Sequence, residues 1–181
     1  MALANFQTAV QKRQAKGIAG DKATLNPFVY TDRNYFAGDG AVTVGNFVWE
    51  DPANPAPGAY EGSGVFSALS SGTGAPLGIV ERNHSYVNYD LLDGGTLVVP
   101  QKALLNVVRR GDLYAVAATA ATKGQKVFAV LADGSLKTGA AGDTVAGAVE
   151  TAWEVAEGGA AGDLITITNW NADVVINNIS A

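Results

Sequence analysis

With one histidine and no cysteine in 181 residues, any catalytic chemistry must come mainly from carboxylates, hydroxyls and glycine-rich turns. His84 stands beside Ser85 in Arg82-Asn83-His84-Ser85-Tyr86. A Ser-His-Asp relay would have to run through it, yet no G-x-S-x-G elbow presents a serine, and a lone histidine in this setting reads as a hydrogen-bonding residue. The missing cysteines remove disulfides, thiolate zinc sites, iron–sulfur clusters and thiol nucleophiles together. Gly38-Asp39-Gly40 and Gly62-Ser63-Gly64 lack the further glycine and lysine of phosphate-binding loops and read as turns. Glu50-Asp51 and the recurring Gly-Asp pairs do not follow a calcium-loop pattern, and nothing singles out two carboxylates as the acid and base of a glycosidase. Trp49, Trp153 and Trp170 would stack on a sugar if exposed, but in a chain with few aromatics they read first as core or interface anchors. Arg109-Arg110 reads as a solvated turn or an interface ion pair. The sequence nominates no enzyme, no cofactor and no metal site.

Composition points the same way. Apolar residues at 48% support a packed core, whereas charged residues reach only 16%, against about 25% in an average soluble domain. Such a surface suits an all-β protein covered by partners. A net charge of −5 gives no electrostatic footprint for nucleic acid. No apolar run approaches the ~18 residues of a membrane span, and Met1 to Gly17 hold no export-type apolar stretch. The expectation is a protein made and kept in the cytoplasm, or in something assembled there, with no nucleic-acid and no membrane partner.

The elements that must position any site are strands. Residues 1–27 read as an N-terminal arm: Phe6 to Lys16 tolerate a helix, and Gly17, Gly20 and Pro27 end it. Residues 28–100 read as a β-rich lobe. Within it, Ala41–Val44 and Asn46–Trp49 form a strand pair, and a Pro/Gly-rich loop carries a short strand near Val65-Phe66. Leu77–Val80, Tyr86–Tyr89 and Thr96–Val99 follow as strands. Residues 101–181 read as a compact barrel or sandwich, with strands over Ala103–Val108, Leu113–Ala117, Lys126–Leu131, Ser135–Thr138, Val145–Glu154 and Leu164–Thr168. Gly111-Asp112, Gly142-Asp143 and Gly162-Asp163 each announce a strand: the glycine offers positive φ and the aspartate bonds nearby amides. Asp133-Gly134 predicts a hairpin with a type I′ turn. Val174-Val175-Ile176 reads as an edge strand or a tail that pairs with a neighbour.

The order of these pieces carries a resemblance. Gly17-Ile18-Ala19-Gly20-Asp21-Lys22-Ala23 with Asn26-Pro27, then Val44-Gly45-Asn46-Phe47-Val48-Trp49, Pro76-Leu77-Gly78-Ile79-Val80-Glu81-Arg82, Val98-Val99-Pro100, Arg110-Gly111-Asp112-Leu113-Tyr114 and Asp133-Gly134-Ser135 resembles the structural cement, or decoration, proteins of tailed-phage capsids. Ile79 departs from it, standing where an aromatic is expected. The resemblance implies a β-rich protein on the outside of the virion that binds the major capsid protein, clamps capsomers and has no catalytic residues. Its expected partners are the coat protein and further copies of itself, as dimers or trimers. Phe6, Ile18, Asp21, Trp153, Trp170, Val174 and Ile176 are the candidate partner contacts. The arm is expected to order on contact with one of these partners. The other reading is a carbohydrate- or host-surface-binding β module displayed on a virion.

Overall fold

The computed structural model describes residues 16–38, 41–52, 66–83 and 97–170. Along them run β1 (Val29–Tyr30), β2 (Tyr35–Ala37), β3 (Phe47–Glu50), β4 (Phe66–Leu69), β5 (Gly78–Val80) and β6 (Leu104–Leu105). There follow β7 (Val107–Arg110), β8 (Asp112–Val116), β9 (Lys126–Val130), β10 (Leu136–Gly139), β11 (Ala148–Glu157) and β12 (Leu164–Thr168). No α-helix occurs among the described residues, and the fold is all-β. The first seven strands form one sheet in the order β1-β7-β5-β3-β4-β2-β6; the last five form a second, β10-β9-β11-β12-β8. The chain passes from the first sheet to the second at Gly111, between β7 and β8.

Phe47–Trp49 of β3, Gly78–Val80 of β5 and Val107–Val108 of β7 are continuous buried apolar runs because both faces of the sheet are covered there. Phe47, Trp49, Ile79 and Val108 enter a core shared with the second sheet, while their neighbours Val48, Val80 and Val107 enter a separate core with Val42, Val44 and Val99. Strands β8, β11 and β12 of the second sheet alternate apolar and polar or exposed residues over the shared core, whereas β9 buries Val127, Phe128 and Ala129 in succession. Leu113 and Ala115 of β8, Trp153 and Val155 of β11, and Ile165 and Ile167 of β12 all point into the shared core. Tyr114, Val116, Glu154, Leu164 and Thr166 therefore lie on the outer face. The sheet also curls toward its own far edge: Ala117, just past β8, bridges Leu136 of β10 in parallel, and Ala118 N–H donates to the Leu136 carbonyl at 2.8 Å.

Two local expectations need correction. The Asp133-Gly134 hairpin joins β9 to β10, but its turn is not type I′, which needs positive φ at both residues. Only Gly134 has it, at 69°, while the Asp133 carboxylate accepts from the Ser135 amide at 3.0 Å and hydroxyl at 2.7 Å. The loop is longer because its tip docks on the first sheet: Phe47 N–H donates to Gly134 O at 2.8 Å. Ala41–Val44 does not pair with β3, whose partners are β4 and β5. Gly45, at φ 82°, turns the chain so that Val44 N–H bonds to Leu97 O and Val99 N–H to Val42 O.

The Gly-Asp pairs divide into two kinds. Ala140-Ala141-Gly142-Asp143 and Ala160-Ala161-Gly162-Asp163 are the same turn twice, with positive φ at the glycine. In each, the aspartate carboxylate accepts from the amide of the first alanine, at 2.9 and 2.8 Å. Gly111 is not in the left-handed region, so Asp112 has a different task, described below.

Gly134 is held by both its φ and its surroundings, since an added Cβ would collide with the Phe47 carbonyl oxygen. Gly134→Ala is expected to lower stability by about 2–4 kcal/mol, read as a lower denaturant midpoint at unchanged slope.

Candidate interaction surface

Residues 16–26 form a strap across both sheets. The segment runs antiparallel to β8, on the side away from β12. Gly20 N–H donates to Tyr114 O at 2.7 Å, Tyr114 N–H to Asp21 O at 3.0 Å, and Ala23 N–H to Asp112 O at 2.8 Å. The first sheet holds the strap from the other side: Arg82 N–H donates to Gly20 O at 3.0 Å, and the Arg82 guanidinium meets the Asp21 carboxylate at 3.3 Å. Buried Ala19 lies against Gly45, where no side chain would fit.

Asp112 ends the strap. Its carboxylate is buried, with the residue only 5% exposed, and one of its oxygens accepts from the Thr24 hydroxyl at 2.5 Å and the Asn26 amide at 2.6 Å. The turn between those residues is thus fixed from beneath. Phe28 then packs over Gly111, with the Lys22 ammonium 4.6 Å from its ring centre and Tyr30 edge-on at 6.1 Å. Asn169, just past the end of β12, ties the same junction, accepting from Gly111 N–H at 2.9 Å and donating to Arg109 O at 2.5 Å.

The outside of this fixed turn is apolar. Leu25 is fully exposed, and Val29 and Tyr30 are 47% and 45% exposed. Beside Tyr30 lies a hollow of about 360 Å³ lined by Thr31, Arg33, Asn34, Leu105 and Asn106. The Tyr30 hydroxyl donates to Glu81 at 3.0 Å, and the phenol's pKa is pushed up to about 12 by burial and by that carboxylate. Leu25, Val29 and Tyr30 were not among the residues selected from sequence. No local pattern marks them, because their exposure follows from the way Asp112 holds Thr24 and Asn26 from beneath.

The sequence-selected contacts fall in different places. Ile18 is 42% exposed on the strap. Asp21 is half-buried and paired with Arg82. Trp153 is buried in the shared core, and so is Trp49, whose indole N–H donates to Gly74 O at 3.0 Å. Trp170 is partly exposed under the Arg110 guanidinium, 5.3 Å from its ring centre. The three tryptophans thus build no shared stacking platform. Phe6, Val174, Ile176 and His84 lie outside the described residues. Residues 16–27, expected to order on a partner, are instead paired within their own chain, because β8 would otherwise present an open edge there. Among the described residues no three His, Cys, Asp or Glu side chains gather at one point that would hold a metal ion.

Asp112→Ala should free the strap, costing about 2 kcal/mol for the two lost charge-assisted hydrogen bonds. In hydrogen exchange, the Gly20 and Ala23 amides should lose protection ahead of the β9 and β11 amides. The strap's other end responds to pH. Lys16 meets Glu157 at 2.7 Å and holds its carboxyl below the usual range. A lowered folded pKa gives stabilisation that is present above the unfolded carboxylate value and lost as pH falls through the folded one. Exchange at the Lys16 end should therefore rise only below the ordinary glutamate titration range, and Glu157→Gln should abolish that dependence.

Comparison with known proteins places this architecture. The family model of the XM1 gp53 minor capsid protein matches residues 6–169. A chain in the solved capsid of Myoviridae phage XM1 superposes with a TM-score of 0.60 at 17% identity, covering 91% of this chain and 96% of that one. At that identity the likeness is one of fold. No curated protein matches the chain. The chain belongs to the XM1 gp53 minor capsid protein family and is a structural protein of a bacteriophage capsid, located in the virion.

Proposed function

We propose that the protein is a capsid cement protein, which binds the outer surface of the major capsid protein shell through the Leu25–Tyr30 surface and braces the shell against packaged DNA. The observation that carries this reading is a run of exposed apolar side chains on a turn locked by the buried Asp112 carboxylate. Such a surface meets a partner without first being ordered, so little of its contact energy is lost to entropy. Burying one leucine contributes about 1.5–3 kcal/mol, enough for an anchor but not for tight binding alone.

Modest sites suffice on a shell. A protein that binds only the assembled state stabilises it by about 2.7 kcal/mol per site at a hundredfold excess over Kd. Copies associated as dimers or trimers that bridge capsomers gain roughly 10²- to 10⁴-fold in avidity. In this reading, the arm ahead of the strap adds a second contact.

The test is add-back to particles lacking the protein. Depleted particles should assemble yet lose DNA at lower temperature and on osmotic shock, and the wild-type chain should restore resistance. Leu25→Asp should fold with an unchanged melting temperature, because Leu25 buries nothing, yet bind particles about 10- to 100-fold more weakly. Depleted particles as robust as complete ones would contradict bracing; full rescue by Leu25→Asp would contradict the assigned surface.

A further inference from the structure

The chain covers two of its own sheet ends. The strap lies along the edge of β8, and residues 117–120 lie along that of β10, where Thr138 N–H donates to the Thr119 hydroxyl at 2.9 Å and the Thr138 hydroxyl to Ala120 O at 3.0 Å. β1 differs: it ends the first sheet with β7 on one side only. Tyr30 stands opposite Val108, and Thr31 N–H donates to Val107 O at 3.0 Å just beyond that pair. In an antiparallel ladder this phase makes Tyr30 and Val108 a non-hydrogen-bonded pair, so the Tyr30 N–H and C=O both point away from β7. No described residue bonds to either. β1 consists of Val29 and Tyr30, both exposed, and carries neither the charge nor the proline that commonly guards an edge.

The ribbon to which β1 belongs opens just beyond it. Residues 29–37 run antiparallel to residues 104–110, pairing as β1 with β7 and as β2 with β6. Between these pairings the two segments part, and the hollow beside Tyr30 fills the gap, with Thr31, Arg33 and Asn34 on one wall and Leu105, Asn106 and Val107 on the other. At about 360 Å³ it has room for a large side chain.

We propose that β1 is a strand-addition site, where an extended segment of the major capsid protein pairs with the outward peptide groups of Tyr30 and lengthens the first sheet by one strand. This rests on the coat-binding reading and states how that surface recognises its partner. A partner seated over Leu25, Val29 and Tyr30 strips water from the Tyr30 N–H and C=O, and an unsatisfied buried peptide group is costly. An extended backbone offsets that cost, because it brings an acceptor and a donor together at strand spacing. The hollow then admits one of its side chains, which gives the pairing its selectivity. β1 is short, so the added strand supplements the Leu25 anchor and fixes its direction.

Hydrogen exchange read at single residues tests this on the full chain, alone and added back to depleted particles. The Tyr30 amide should exchange as an unbonded amide in the free protein and at least about tenfold more slowly on particles. Tyr30→Ala and Tyr30→Pro both remove the side chain, and only the proline also removes the outward N–H, which no internal bond uses. At equal melting temperatures, Tyr30→Pro should bind particles about 3- to 10-fold more weakly than Tyr30→Ala. Equal binding by the two overturns the proposal. So does a Tyr30 amide already protected in the dilute free chain, whose own residues then cover the edge, or one whose protection grows with concentration without capsids, which assigns the edge to a second copy. Binding that Leu25→Asp weakens while Tyr30 exchanges freely on particles overturns strand addition alone; full rescue by Leu25→Asp overturns the coat-binding reading beneath it. The exchange comparison decides the matter even if Tyr30→Pro fails to fold.

Discussion

The rest of the structure hangs on a short junction, Arg109 to Asp112, where the chain leaves one sheet for the other. Asn169 bonds the backbone on both sides of it, Phe28 covers Gly111, and the Asp112 carboxylate gathers Thr24 and Asn26. A buried carboxylate without partners would cost several kcal/mol, so its two side-chain donors are a condition of the fold. Through them the strap is fixed, the open edge of β8 is covered, and Leu25 is presented to solvent. Local order at one aspartate thereby becomes a rigid external surface.

The two sheets are joined at further points that share this logic. Gly134 brings the β9–β10 loop onto Phe47, Gly72 N–H donates to Leu131 O at 3.0 Å, and the strap binds Arg82 and Tyr114 at once. Each is a backbone contact made where a glycine or a tight turn permits close approach. A structural protein of a virion benefits from such cross-bracing, because a load on one sheet is carried by the other instead of opening a hinge.

Much of this was legible in the sequence, for identifiable reasons. Strands β8 to β12 lie close to where the sequence places them, since Gly-Asp and Asp-Gly turns bound their apolar runs, whereas Ala103–Val108, read as one strand of the 101–181 lobe, is two strands, β6 and β7, of the first sheet. The motifs that suggested phage cement proteins prove to be the interlocking residues themselves: Gly20 and Asp21 meet Tyr114 and Arg82, and Phe47 meets Gly134. Pairing at a distance was not legible. The parallel contact of β2 with β4, the docking of residues 16–26 on β8 and the role of Asp112 rest on residues up to 88 positions apart, and no local pattern encodes them. Trp153 looked like either a core or a contact residue because burial on a strand depends on which face meets the other sheet. Leu25 drew no attention because a single leucine among polar residues says nothing about exposure.

The central claim is that the Asp112-clamped turn faces the coat protein. The most direct measurement is a cryo-EM map of particles carrying this chain, at a resolution that places side chains. The account predicts Leu25, Val29 and Tyr30 against the major capsid protein, with Thr24 and Asn26 still bonded to Asp112. A map in which that turn points to solvent while another surface meets the shell would contradict it.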